Sequence, residues 1–185
     1  MMVNPRRFRR VLTMLVLLVV GSGLTGCVQK PENVEPVQSF DVERYLGQWY
    51  EIARLDHSFE RGLSHVTATY SWRDDGGVKV INRGYDAEEG AWQEAEGKAY
   101  FVEDPEQGYL KVSFFGPFYG GYIVFKLDDD YQYAYVSGPD TDYLWLLART
   151  PQVSDARIED FKQRAEALGF DLKDLIMVDQ SDPRP

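Results

Sequence analysis

The sequence predicts an all-β domain, an eight-stranded antiparallel up-and-down barrel with one C-terminal helix packed outside. Three observations carry that expectation. From Gly47 onward, β-rich segments recur at roughly ten- to twelve-residue spacing, the rhythm of a sandwich or barrel. Within several of them every second residue is apolar, which marks antiparallel strands with one wet face. Short turn signals separate the segments, so consecutive strands pair as hairpins, and closing eight of them removes exposed edges.

Ahead of the domain stands a leader. Arg6, Arg7, Arg9 and Arg10 form a basic start, and an apolar run from Val11 to Val20 follows. Leu24-Thr25-Gly26-Cys27 then reads as a bacterial lipoprotein processing site, with residues 1–26 as signal peptide and Cys27 as the lipidated residue. The competing readings are an ordinary secretory signal with an incidental Cys, or a membrane anchor. The run is short for crossing about 30 Å of hydrocarbon. Two or more acyl chains would hold a soluble domain on a membrane, each buried methylene contributing about 0.8 kcal/mol. Residues 27–39, with Pro31, Pro36 and polar neighbours, read as the lipidated Cys and a flexible tether.

Charge narrows the partners. Without the four leader arginines, 16 basic residues remain against 30 acidic ones, a balance of −14. That argues against nucleic acid, which needs a basic footprint. It also argues against an electrostatic grip on anionic lipid, so attachment falls to the acylated Cys27. Cys27 is the only cysteine, which leaves the folded domain no disulfide and no thiol nucleophile. The aromatic share of 14% suits a ring-lined cavity as well as an ordinary β core.

Eight strands are expected, at about 47–55, 63–72, 78–85, 92–102, 109–115, 120–127, 132–137 and 143–149. The alternation is clearest in Val66-Thr67-Ala68-Thr69-Tyr70-Ser71-Trp72, in 94–101 and in 110–114. Asp74-Asp75-Gly76-Gly77 reads as a tight hairpin. After the strands, Ser154 as N-cap and Gly169 past the C-terminus bound a helix. Its stripe of Ile158, Phe161, Ala165 and Leu168 should dock on the outer wall. Residues 174–178 supply a short closing strand.

These elements resemble a lipocalin, and more closely the bacterial outer-membrane group of that family. The family's Gly-x-Trp motif stands as Gly47-Gln48-Trp49, and its terminal Arg as Arg149, in Leu146-Leu147-Ala148-Arg149. The resemblance implies that Gly47, Trp49 and Arg149 form the barrel floor, the Arg stacking on the Trp. The family's Thr-Asp-Tyr motif has its positional match in Asp129-Asp130-Tyr131. A literal Thr141-Asp142-Tyr143 stands too late in the chain. Residues 96–101 and 111–122 also resemble the bacterial group, and the likeness spans about 40–179, the expected domain.

With Trp49 and Arg149 placed inside by the resemblance, period two assigns the lining. The expected ligand-facing residues are Ala68, Tyr70, Val80, Ala95, Ala99, Val112, Phe114, Tyr143 and Trp145, with Tyr70 and Trp145 in mid-cavity. Val66, Asn82, Gly97, Phe101 and Leu147 point inward on the same argument, and Trp72 is inward filler. A β-bulge would invert part of this. The result is a mostly apolar tube with few polar groups, suited to an acyl chain.

The resemblance implies fatty acids or lysophospholipids as ligands, and a part in lipid storage, transport or envelope upkeep. Val28 after the lipidated Cys resembles an outer-membrane address, with the domain facing the periplasm. A structural or assembly lipoprotein is the alternative, and a lipid-modifying enzyme the more distant one. His57 and His65 fall at or near a loop, where a surface or capping role is expected. No serine nucleophile motif appears, so no enzyme is expected. Two histidines without Cys partners suggest no metal, and no cofactor is implied. The barrel could be monomer or homodimer.

Overall fold

Hairpin follows hairpin from Gly47 to Ala148. The computed structural model describes residues 28–181. The signal peptide expected at 1–26 and the lipidation expected at Cys27 lie outside the described residues. A short helix, α1 (Val42–Tyr45), precedes strands β1 (Gly47–Arg54), β2 (Leu63–Trp72), β3 (Val78–Asp86) and β4 (Ala91–Phe101). Strands β5 (Tyr109–Ser113), β6 (Gly120–Leu127), β7 (Tyr133–Ser137) and β8 (Leu144–Ala148) continue the meander, followed by helix α2 (Asp155–Ala167) and β9 (Ile176–Met177).

Each of the eight strands pairs antiparallel with the next. The sheet closes because β1 pairs on one side with β2, from Gly47↔Tyr70 to Tyr50↔Thr67. On the other side it pairs with β8, from Tyr50↔Ala148 to Arg54↔Trp145. Towards its end β1 parts from β2, and the C-terminal segment fills the seam. There β9 pairs with Ala53 and Arg54, and the Gln180 side chain donates to the carbonyls of Glu51 and Val66, both at 2.8 Å.

Two apolar layers result. One lies inside the barrel, around Trp49, Tyr70, Val80 and Leu147. The other lies outside β1, β7 and β8, where Phe161 and Ala165 of α2 are fully buried against Tyr135 and Leu146. Ser154 caps α2, its hydroxyl accepting from the Arg157 N–H at 3.3 Å, and Gly169 ends it at φ +93°.

Residues 28–39 are not a free tether in their described part. Val34 is fully buried, the Val37 N–H donates to the Val124 carbonyl at 2.8 Å, and the Gly108 N–H donates to Val37 at 2.9 Å. The segment runs along the outside of β6. Interleaved Pro, Glu and Gln give it a linker's composition, but Val34, Val37 and Phe40 supply enough apolar surface to hold it down.

Candidate functional site

The floor of the barrel is built on Trp49. Its indole N–H donates to the Tyr45 carbonyl at 2.8 Å, and the Arg149 guanidinium carbon lies 3.9 Å from its ring centre. Arg149 also donates to the carbonyls of Gln48 at 2.8 Å and Arg44 at 2.7 Å. Gly47 stands at φ +90°, and a Cβ there would lie 3.5 Å from Arg149 Nη1. Tyr131 completes the floor. Its hydroxyl accepts from the Asp41 N–H at 2.8 Å, and its ring carries Arg44 at 4.1 Å. Asp129-Asp130-Tyr131 thus sits beside Arg149, whereas Thr141-Asp142-Tyr143 lies in the β7–β8 loop at the opposite, open end.

Above the floor is a cavity of about 690 Å³. Ala68 and Tyr70 of β2, Val80 of β3, Ala95 and Ala99 of β4, and Val112 of β5 line it, with Phe114, Tyr143 and Trp145. Val66, Asn82 and Leu147 do so too. Three residues expected inward do not. Trp72 is 43% exposed beyond the floor, its indole N–H bonded to Glu43 at 2.8 Å. Gly97 is covered by the Phe114 ring, which a Cβ there would meet at 2.8 Å. Phe101 packs edge-on to Phe40, ring centres 6.4 Å apart.

Tyr70 and Trp145 do not share mid-cavity. Tyr70 pairs with Gly47 at the floor end, whereas Trp145 pairs with Arg54 near the mouth. Sequence reasoning also assigned no lining to β6 or β7, although Tyr122 and Val136 face the cavity. β6 reads Gly-Gly-Tyr-Ile-Val-Phe-Lys-Leu, apolar on both faces because the N-terminal segment covers its outside. Period two cannot choose a side in such a strand.

Besides the single polar side chains of Asn82 and Ser113, two polar networks lie within the tube. Near the floor, the Tyr122 hydroxyl bonds to those of Tyr45 at 2.7 Å and Tyr70 at 2.8 Å. Burial raises the ionisation of all three phenols above their ordinary value, so the chain is neutral.

The second feature is a buried charge network near the mouth. Arg54 Nη1 donates to Glu51 at 2.7 Å, and Nη2 donates to the carbonyls of Glu60 at 2.8 Å and Leu63 at 3.1 Å. The Trp145 indole N–H donates to Glu60 at 3.3 Å. His57 is buried, not at the surface, and its Nε2 stands 3.2 Å from Glu60 without the alignment of a hydrogen bond. A bulge makes this arrangement possible. The β1–β8 register shifts between Glu51 and Ala53, which sends Ile52 and Ala53 into the outer core and brings Arg54 beside Glu51.

Burial raises the Glu51 carboxyl well above its usual range. The nearby Glu60 charge adds to this, and Arg54 opposes it. Burial acts on Glu60 in the same sense, but the His57 ring, the Trp145 indole and Arg54 outweigh it and hold Glu60 below its usual value. Glu51 stands two residues after Trp49 and so shares its inward face, a position the sequence reading did not assign. No local signal announced its partners, which come from the bulge and from the loop after it. Among the described residues, no cluster of three or more His, Cys, Asp or Glu is placed to hold a metal ion.

A closed barrel around one apolar pocket, open at one end, defines a binding protein for small apolar molecules. A sequence profile described as a lipocalin-like domain matches residues 40–180. The outer membrane lipoprotein Blc of Vibrio cholerae is 58% identical over 167 residues, covering 90% of this chain and 98% of that one. The protein of the same name from Escherichia coli K12 is 58% identical over 150 residues, covering 81% and 85%. Among solved structures, insecticyanin from the tobacco hornworm superposes with a TM-score of 0.64 at 21% identity, covering 84% of this chain and 88% of that one, a likeness of fold alone. The chain belongs to the lipocalin family and groups within it with the bacterial lipoproteins.

Proposed function

We propose that the protein is a lipid-anchored lipocalin of the outer membrane. Acylated at Cys27, with its domain on the periplasmic side, it holds or carries fatty acids or lysophospholipids for storage, transport or membrane maintenance. The observation that carries this reading is the cavity. It is large enough for an acyl chain, and each methylene transferred into it contributes about 0.8 kcal/mol before ordering costs. The names of the two bacterial relatives support the envelope address. Among the described residues no helix is long and apolar enough to cross a membrane.

The nine residues Ala68, Tyr70, Val80, Ala95, Ala99, Val112, Phe114, Tyr143 and Trp145 are proposed to contact the ligand, with Gly47, Trp49 and Arg149 closing the floor beneath it. Native mass spectrometry of the purified protein tests the reading. Near-stoichiometric co-purified lipid is expected, and an empty barrel would favour a scaffolding role. Titration of a lysophospholipid against Trp145→Ala should show affinity falling by about tenfold, or ~1.4 kcal/mol. Equal affinities would remove Trp145 from the site.

A further inference from the structure

The geometry points to a barrel held mouth-down on the bilayer, with the β5–β6 loop as the lip that enters the membrane. The orientation rests on acylation at Cys27, as proposed above.

The first observation is where the described chain starts. The Val28 carbonyl accepts a hydrogen bond from the Tyr109 hydroxyl. The Gln29 carbonyl packs on Gly121 at the start of β6, where a Cβ would collide with it. The Pro139 Cα, in the β7–β8 loop at the mouth, lies 3.5 Å from that same Cβ position. From there the chain descends. Val37 bonds to Val124 and Gly108, and the Phe40 N–H donates to Glu106 in the β4–β5 loop at the floor end, at 2.7 Å. Residues 28–40 therefore span the outer wall from mouth to floor. The described chain thus starts at the mouth end, with Val28, the residue that follows Cys27 in the sequence.

The second observation is independent of the first. Phe115 and Phe118, in the β5–β6 loop of that rim, are 78% and 79% exposed. Both rings also border the cavity opening, so they form one apolar patch with the mouth, and such a patch marks an interaction surface. Membrane interfaces accept apolar side chains about 5–10 Å into the boundary between headgroups and acyl chains.

Charge sets the tilt. Beneath this loop, the Lys98 and Lys111 ammonium groups lie 6.0 and 5.4 Å from the Tyr119 ring, two cations close to the lip. The β3–β4 hairpin, also at the mouth, carries Asp86, Glu88 and Glu89 and would be repelled by anionic lipid. The start of the described chain, the aromatic lip and the lysines thus share one side of the rim, and an anchor on the residue before Val28 would hold the acidic hairpin away. The occupant is a phospholipid bilayer, and the cavity opens towards it, so an acyl chain can exchange without crossing bulk water.

The test uses the full-length acylated protein, its acyl chains checked by mass, in vesicles of phosphatidylethanolamine with a minority of phosphatidylglycerol. Once Cys27 is acylated no other thiol remains, so Phe118→Cys and Glu89→Cys can each take one environment-sensitive fluorophore. The label at 118 is expected to shift to the blue on vesicles and to lose most of its emission to brominated acyl chains. The label at 89 is expected to do neither. Equal quenching at both sites, or none at 118, would overturn the orientation. A blue shift at 118 that grows with protein concentration without vesicles would assign the rings to a second copy and overturn it as well. A mature protein without acyl chains would refute the anchoring, and the orientation with it, while lipid in the native mass spectrum would leave the binding reading standing.

Discussion

Arg149 lies over Trp49 with its guanidinium carbon 3.9 Å from the ring centre, and from there it ties the carbonyls of Gln48 and Arg44 to the end of β8. One side chain thus joins the first strand, the helix before it and the last strand. The stacking contributes about 0.5–2 kcal/mol, and each charge-assisted hydrogen bond about 1.5–3 kcal/mol where it is shielded from water. Arg149→Ala should therefore cost about 2–4 kcal/mol in urea denaturation. Arg149→Lys should recover little of it, because an ammonium cannot stack and bond two carbonyls at once. A loss below about 0.5 kcal/mol would place the floor's stability elsewhere.

Tyr122 bridges two buried hydroxyls. Tyr122→Phe should destabilise by about 1–3 kcal/mol, since it strands the hydroxyls of Tyr45 and Tyr70. Replacing all three by Phe should regain most of that loss, because no polar atom is then left unpaired. Denaturation midpoints of the single and triple variants decide the matter. A triple variant weaker than the single one would mean that the chain itself stabilises the barrel.

The mouth network should produce opposite pH dependences. The ordinary value for Glu51 is 4.5, and burial lifts it in the folded protein. The folded state then holds the proton more tightly, so stability falls as pH rises from about 4.5 through the raised value. Glu60 shifts down, so its contribution is present above about 4.5 and is lost as pH falls through its lowered value. Glu51→Gln should flatten the slope on the alkaline side of 4.5 and be neutral or stabilising at neutral pH. Glu60→Gln should flatten the acid side and destabilise at neutral pH. Chemical denaturation across that range reads both, and identical profiles for the two variants would contradict the assignment.

Ala68 lines the cavity between Val66 and Tyr70 without being fully buried. Ala68→Trp should place an indole in the space reserved for ligand. Fatty-acid affinity is expected to fall by tenfold or more, about 1.4 kcal/mol. The thermal midpoint should hold or rise, since the ring fills a void. Unchanged affinity would mean that the ligand does not use this wall.

Much of the architecture was legible because side-chain alternation is a local property of the chain. Val66, Ala68 and Tyr70 declared their face through the hydroxyls between them, and Ser154 and Gly169 marked the helix ends. The β6 strand was silent about its lining, since both of its faces are covered. Val34 and Val37 were hidden in a polar-looking segment, because what holds them down is a wall remote in sequence. Trp72 was misjudged because alternation fixes a side of the sheet but not the height at which the cavity ends.

The chain alone determined the number and order of the strands and the face that most of them turn inward, and its resemblance to a family implied the pairing of Trp49 with Arg149. The first two follow from period-two patterning and turn signals, the last from motifs shared with the family. Tertiary structure alone decided that Glu51, Arg54, His57 and Glu60 meet, that three tyrosine hydroxyls join, and that the residue after Cys27 lies at the mouth. Each of these depends on a bulge, a closure or a docked segment, and such juxtapositions arise only when distant parts of the sheet are brought into register.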